Sequence, residues 1–408
     1  MKKPKKNYWE ERSRMSNIPK LRFPEFKGEW EEKKLSDFMT RLTRKNSNNE
    51  SSRALTISSV DGLIEQGEFF KKQIASKDTS GYYLLKKGDF AYNKSYSVGY
   101  DYGSIKRMDR YEDGVVSTLY ICMSLTSDTN SDYLTHYFDS MKWNKSVSEI
   151  SAEGARNHGL LNIPTESFFQ TKHFLAPTLA EQQKIADFLS NVDSIITAET
   201  KILNTLQKKK KALMQKLFTQ QLRFKSDDGT DFPAWEEKKL GECVEILDSQ
   251  RKPIESKERA NRKGEYPYYG ASGIIDYIDD YLFEGESILL GEDGANIINR
   301  NSRLAFIATG KYWVNNHAHI MKANADNLNH FICEYLESLD YSKICAGSAQ
   351  PKLTQDVIRN LTIKAPCKEE QQKIADCLSS LDSLIQTQQK VVTTWQQRKK
   401  ALLQQMFI

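Results

Sequence analysis

No run of roughly 18 apolar residues occurs in the 408-residue sequence, which excludes a membrane-spanning helix. The opening MKKPKKNYWEERSRM is basic but has no apolar core, so it is not a secretory signal. It reads as a disordered basic tail over residues 1–20, with Met15 an alternative start. Cysteine is scarce. The six, at positions 122, 243, 333, 345, 367 and 377, form no C-x-x-C pair and share no metal spacing with histidine. They read as reduced thiols, which points to the cytoplasm.

Enzyme signatures are missing as well. There is no G-x-x-x-x-G-K-[ST] phosphate loop, since Gly310-Lys311 lacks the earlier glycine and the following hydroxyl. G-x-S-x-G, H-E-x-x-H and the deaminase zinc pattern do not occur. Neither does the Asn/Asp-Pro-Pro-aromatic motif of amino-methyltransferases, nor a cofactor glycine fingerprint. His317 and His319 alternate and would share a strand face, but no third ligand accompanies them. The chain reads as a binder with no catalytic, cofactor or metal residues of its own. A net charge of +5 and a pI near 8.6 are compatible with nucleic acid.

Repetition is what the sequence does have. EQQKIADFLSNVDSIITAETKILNTLQKKKKALMQKLF (181–218) returns without a gap at 370–407, identical at 21 of 38 positions. LRFPEFKGEWEEKKL (21–35) returns as LRFKSDDGTDFPAWEEKKL (222–240). The plan is domain, long helix, domain, long helix.

In the first copy, positions 185, 189, 192, 196, 199, 203, 206, 210, 213 and 217 form a heptad seam broken by Glu199 and Lys210. The second copy breaks at the matching Gln388 and Lys399, which suggests a device that sets register. Each helix should span about 57 Å at 1.5 Å per residue. Each starts after a proline (Pro177, Pro366) with acidic residues in its first turn (Glu181; Glu369 and Glu370). Lys208–Lys211 and Arg398–Lys400 suit helix C-termini, the first run reading chiefly as a solvated face, and Cys377, matching Phe188, reads as a small buried hydrophobe. The obvious partner for each stripe is the other helix, run antiparallel with a pseudo-twofold axis.

The expected fold class is α+β, with two target-binding domains of mixed composition separated by an antiparallel coiled coil. The divisions are tail 1–20, domain 21–176, helix 177–221, domain 222–365 and helix 366–408. The domains align at Gly88 with Gly285, and VVSTLYICM (115–123) matches NNHAHIMKA (315–323). A shared frame with divergent loops suits two different reading surfaces. The candidate DNA contacts are Asn93, Lys94, Ser95, Tyr96, Tyr100, Tyr102, Arg156, Asn157 and His158 in the first domain. In the second they are Asn296, Asn315, Asn316, His317, Gln350 and Lys352. These residue types read base edges or hold phosphates, although each alone is equally a polar surface residue.

FPEFKGEWEEKKLSDF (23–38), FPAWEEKKLGE (232–242), the helix starts APTLAEQQKIADFL (176–189) and APCKEEQQKIADCL (365–378), and NNHAH (315–319) together resemble the DNA specificity subunit of type I restriction-modification systems. The resemblance covers essentially all of 18–408. It implies two target-recognition domains, each reading half of a split sequence on double-stranded DNA. It also implies helices that dock two methyltransferase subunits and, through them, restriction/translocase subunits. S-adenosylmethionine, ATP and Mg belong to those partners. The alternatives are a coiled-coil adaptor joining two protein-binding domains, or a solitary nuclease or methylase, which the missing motifs disfavour. A salt-sensitive, sequence-specific duplex shift separates reader from adaptor.

Overall fold

The computed structural model describes residues 17–70, 76, 78–126, 128–151, 161–345 and 351–408. The chain forms two compact units, residues 1–198 with 391–408, and residues 199–390. Both boundaries fall inside the long helices, so each unit owns a domain and half of each helix, a different partition from the linear one read in the sequence.

In the first unit, ten strands run β1 (Glu31–Lys34), β2 (Met39–Arg41), β3 (Leu55–Ser58), β4 (Gly62–Glu65), β5 (Tyr83–Lys86), β6 (Phe90–Asn93), β7 (Ser104–Arg107), β8 (Asp113–Val116), β9 (Ile121–Leu125) and β10 (Lys172–Leu175). The central sheet has the order β2-β9-β6-β7, all antiparallel. β3 and β4 form a hairpin, β5 pairs antiparallel with β8 across the intervening β6 and β7, and β1 closes on β10.

The second unit repeats this in β11 (Glu236–Lys239), β12 (Val244–Ile246), β13 (Lys263–Gly270), β14 (Gly273–Ile278), β15 (Phe283–Glu284), β16 (Ser287–Gly291), β17 (Ala305–Ala308), β18 (Lys311–Val314), β19 (Ala318–Ala323) and β20 (Thr362–Ala365). Its sheet has the matching order β12-β19-β16-β17. Here β13 pairs parallel with β18, joining four strands as β14-β13-β18-β15. Among the described residues the first unit keeps a single trace of that join, the parallel bridge Ala54–Val115.

Gly88 and Gly285 do correspond. Both adopt positive φ (92° and 94°), and each amide donates 2.8 Å across a turn, to Met108 and Gly310. The alignment of 115–123 with 315–323 is two residues out along its length. Val116 ends β8 as Val314 ends β18, so Ser117 matches Asn315. Ser117 Oγ accepts from the Leu119 amide at 3.3 Å, just as Asn315 Oδ1 accepts from the His317 amide at 2.8 Å. The same two-residue offset holds in the strands that follow, where Leu125 pairs with Met39 as Ala323 pairs with Val244.

The first long helix is Leu179–Phe218, 40 residues, and the second Lys368–Met406, 39 residues. In the first unit Ile185, Leu189 and Val192 are buried, as are Val392, Leu403, Met406 and Phe407. In the second unit Leu203, Met214 and Leu217 are buried, as are Ile374 and Leu378. The start of one helix thus joins a core with the end of the other in each unit, so the pair is antiparallel. The seam polar residues find each other. Gln388 Nε2 donates to the Glu199 carbonyl at 3.0 Å, and Lys210 Nζ donates to Asp382 at 2.7 Å. Lys399 Nζ meets Asp193 at 2.6 Å. Lys208, Lys209 and Lys211 are exposed but Lys210 is buried, because it alone faces these carboxylates. Cys377 is only partly buried, because its match Phe188 also lies at the seam's rim, 38% exposed.

The helix starts hold the domains. Glu181 and Glu370 are 1% and 0% exposed. Arg22 Nε and Nη2 donate to Glu181 at 2.7 and 2.8 Å, and Trp30 Nε1 adds 3.1 Å. Arg223 Nε and Nη2 donate to Glu370 at 3.1 and 2.6 Å, with Trp235 Nε1 at 3.0 Å. Next door, Gln182 Nε2 donates to the Ala176 carbonyl (2.8 Å) and Oε1 accepts from the Asn130 amide (2.8 Å). Gln371 does the same with Pro366 (3.0 Å) and Leu328 (3.0 Å). The repeated LRF, W and EQQ elements are therefore one device made twice: an acidic helix start whose buried charge is matched by arginine and tryptophan.

Candidate nucleic-acid interface

In the first unit the candidate loop leaves β6 at Asn93 and returns at Ser104, its register partner. Asn93 Oδ1 accepts from the Ser95 amide at 3.0 Å, and the Tyr100 amide donates to the Ser97 carbonyl at 2.8 Å. Gly103 closes the loop at φ 77°, where a Cβ would collide with the Asn93 carbonyl, so only glycine fits. Ser59 Oγ lies 3.0 Å from Ser97 Oγ and 3.1 Å from Ser104 Oγ, fastening the loop to the β3–β4 turn.

The loop presents Tyr96 and Val98, 56% and 90% exposed. Lys94 is half-buried, and burial pushes its ammonium below the usual lysine range. It has no anionic partner among the described residues, so an incoming anion would find a cation already partly shielded from water. Tyr100 and Ser95 are partly exposed. Tyr102 instead packs against the core and its carbonyl accepts from Tyr92 Oη at 2.7 Å, which gives it a supporting role. Arg156, Asn157 and His158 lie outside the described residues, as does Gln350.

In the second unit three separated segments converge beyond the end of the β16–β19 pair. The Glu292 amide donates to the His317 carbonyl at 2.9 Å, the Leu353 amide to the Glu292 carbonyl at 2.8 Å, and Asp293 bridges Lys352 along the backbone. Asn316, His317 and Lys352 are exposed. Asn315 is 5% exposed and serves as a turn former. Asn296 is a clamp: its Nδ2 donates to the Ser302 carbonyl at 3.2 Å and its Oδ1 accepts from the Ser302 amide at 2.9 Å.

Behind this face lies a charged network that sequence reasoning did not identify. Arg251 Nη1 donates to Glu292 at 2.8 Å and to the Ala318 carbonyl at 2.7 Å. Lys352 Nζ lies 3.2 Å from Glu292. His319 is sandwiched between Asp248 Oδ2 (2.5 Å at Nδ1) and the Leu353 carbonyl (2.8 Å at Nε2). Burial would raise the Asp248 carboxyl, but the hydrogen bond and charge of His319 outweigh it and hold it below the usual range. Glu292 behaves alike, with burial overcome by Arg251, His319 and Lys352. The network stiffens the three segments and leaves Asn316, His317 and Lys352 as its outward groups.

Among the described residues no group of three His, Cys, Asp or Glu side chains is arranged to hold a metal, and no helix is long and apolar enough to cross a membrane. The six cysteines form no disulfide. In the first unit, a groove of about 430 Å³ on the helix pair is lined by Phe188, Val192, Ile195, Trp395, Arg398 and Leu402.

A sequence profile described as the type I restriction modification DNA specificity domain matches residues 27–208 and again 234–394. The chain belongs to this family. A putative type I restriction enzyme specificity subunit from Haemophilus influenzae is 35% identical over 147 residues, 36% of this chain and 37% of that protein. A putative MjaX specificity subunit from Methanocaldococcus jannaschii is 26% identical over 288 residues, 66% of this chain and 65% of its own length. The matches thus span 37% and 65% of these two relatives. The crystal structure of the S subunit of a type I restriction-modification system from M. genitalium superposes with a TM-score of 0.59 at 14% identity, covering 96% of this chain and 99% of that one. A second solved structure, titled for complex assembly and conformational transition of the type I system, gives 0.53 at 15% identity over 93% and 97%. Both share the fold, which is α+β with two domains and long paired helices.

Proposed function

We propose that this chain is the non-catalytic DNA specificity subunit of a type I restriction-modification complex, reading a bipartite duplex through its two domains. One observation carries this reading. The two domains share strand order, anchors and helix docking, yet the loops that emerge from the common frame differ in length and chemistry. The first unit offers a half-buried lysine with tyrosines; the second offers a fastened Asp-Asn-His-Lys cluster. One scaffold with two surfaces suits two half-sites. Family membership and the apolar groove beside Trp395 support docking of two methyltransferase subunits on the helices, with restriction/translocase subunits joining through them. S-adenosylmethionine, ATP and Mg would act on those partners, and the complex would work in the cytoplasm.

The test is to express the chain with a methyltransferase subunit and map the adenines methylated in host DNA. Two short specific halves with an unspecified spacer are expected. Exchanging residues 21–176 for a relative's domain should then alter one half only. A single continuous target, or both halves changing together, would overturn modular reading.

A further inference from the structure

Nδ1 of His317 lies 2.9 and 3.1 Å from the two Asp293 carboxylate oxygens. A carboxylate only accepts, so Nδ1 carries the proton. Both partners are fixed through their backbones: Asp293 bridges Lys352, the Gly294 amide donates to the Pro351 carbonyl at 3.2 Å, and the His317 amide is held by Asn315. Asp293 is 23% exposed and the His317 side chain 51%. Two residues on, His319 has both ring nitrogens engaged and is 2% exposed. His317 is therefore a second fastened imidazole, but one whose Nε2 faces outward without a partner among the described residues.

An independent feature marks the surroundings as a contact face. A Cβ placed on Gly270 would meet Ile275 Cγ2 at 3.1 Å and Asn315 Nδ2 at 3.4 Å, so the β13–β14 hairpin lies directly beside the turn. That hairpin leaves Ile274, Ile275 and Tyr277 exposed by 46%, 53% and 50%. Apolar side chains bordering convergent polar groups are what a binding surface leaves open.

We propose that His317 reads one base edge through Nε2, with Asp293 as its positioning residue; this rests on the DNA-reading role proposed above. With its proton held at Nδ1, the neutral ring offers Nε2 as a bare acceptor. That matches an exocyclic amino group in the major groove, N6 of adenine or N4 of cytosine. The protonated ring offers an N–H instead, which matches O6 or N7 of guanine. The charged groups around it are Asp293 from the β16–β17 connection, and Lys352 paired with Glu292 from the segment before β20; Asp248, Arg251 and His319 stand behind. Base preference at one position follows which ring nitrogen carries the proton.

The experiment selects duplexes from a randomised pool with the full-length chain and its variants at one fixed pH. Expected is a single position, in the half-site read by the second domain, that favours adenine or cytosine in the wild type. His317→Ala should lose that preference roughly tenfold, with every other position retained as the folding control. Asp293→Asn can donate to Nδ1 and leave the proton on Nε2, so it should shift the position toward guanine. An Asp293→Asn motif unchanged at every position, or a His317→Ala motif identical to wild type, overturns the assignment. Failure of the wild type to enrich any sequence would instead overturn the DNA-reading role beneath it.

Discussion

The backbone amide of Leu21 donates to the carbonyl of Gln405 at 2.9 Å. Its counterpart is the Leu222 amide donating to the Lys216 carbonyl at 3.1 Å, and Lys216 matches Gln405 in the helix repeat. The second contact is made within a continuous chain. The first joins the far end of the sequence to the start of the first domain. Aromatic packing repeats the match: Phe407 lies 6.1 Å from Trp30 and 5.4 Å from Tyr133, and Phe218 lies 5.9 Å from Phe331 and 5.2 Å from Tyr335.

The junction at residues 219–221 is thus dispensable as a covalent link. A permuted chain opened there, with Ile408 joined to Ile18 by a short linker, should fold and select the same DNA motif as the wild type. Duplex selection and thermal unfolding check it. A permuted chain that folds but selects nothing would show that the covalent order matters to reading.

The buried carboxylates predict a sharp stability effect. Arg22 and Glu181 are 9% and 1% exposed, so removing the arginine leaves an unpaired charge in the core. Arg22→Ala should destabilise the first unit by about 3–5 kcal/mol, and Arg223→Ala the second by a similar amount. Replacing Arg22 and Glu181 together with apolar residues should cost much less than Arg22→Ala alone. Urea unfolding of the single and double variants provides the comparison; equal losses would argue against an uncompensated charge.

The helices, their antiparallel pairing and the polar breaks were legible because each leaves a periodic mark within one segment, and the repeat doubled every mark. Glu181 was legible only as a residue favouring a helix start. Its burial depends on Arg22 and Trp30, which lie 159 and 151 residues away. The second reading face was legible as loops but not as a cluster. Asp293 meets His317 across 24 residues and Asp248 meets His319 across 71, and no local pattern announces such pairings. Tyr102 and Asn296 have the same residue types as true contacts, and only packing shows that they hold their loops together.

His173 predicts a pH dependence. It is 2% exposed, and burial pushes its pKa from 6.5 down to about 3. Thr171 Oγ1 gives its proton to the Phe168 carbonyl (2.6 Å), so it accepts from His173 Nε2 (2.8 Å), and Tyr137 Oη donates to Nδ1 (2.8 Å). The neutral ring is fully satisfied. Below about pH 6.5 the unfolded chain binds a proton that the folded chain refuses. Stability is therefore complete above that value and falls by about 1.4 kcal/mol per pH unit as pH drops toward 3. His173→Gln should lower stability at neutral pH but flatten this slope, measured as urea midpoints between the two values. An unchanged slope would mean that other groups carry the acid sensitivity.

The two seam lysines occupy matched positions but differ in surroundings, so their loss should not cost the same. Lys210 is 9% exposed, with Glu334 (8%) at 2.8 Å and Asp382 (29%) at 2.7 Å. Arg303 also reaches both carboxylates, but it is their only other cation partner among the described residues. Lys399 is 18% exposed, and its partner Asp193 is 40% exposed and can be rehydrated. Lys210→Met therefore leaves Glu334 and Asp382 to share Arg303 alone, with Glu334 only 8% exposed, and should cost about 3 kcal/mol. Lys399→Met lets water solvate Asp193 and should cost about 1 kcal/mol or less. Adding Glu334→Gln to Lys210→Met should recover part of the larger loss, since His136 stands at the matching place in the first unit and the second carboxylate there, Asp139, lies farther off, 3.9 Å from Lys399. Denaturant midpoints of the three variants test the ordering, and equal effects of the two lysines would contradict the difference in burial on which it rests.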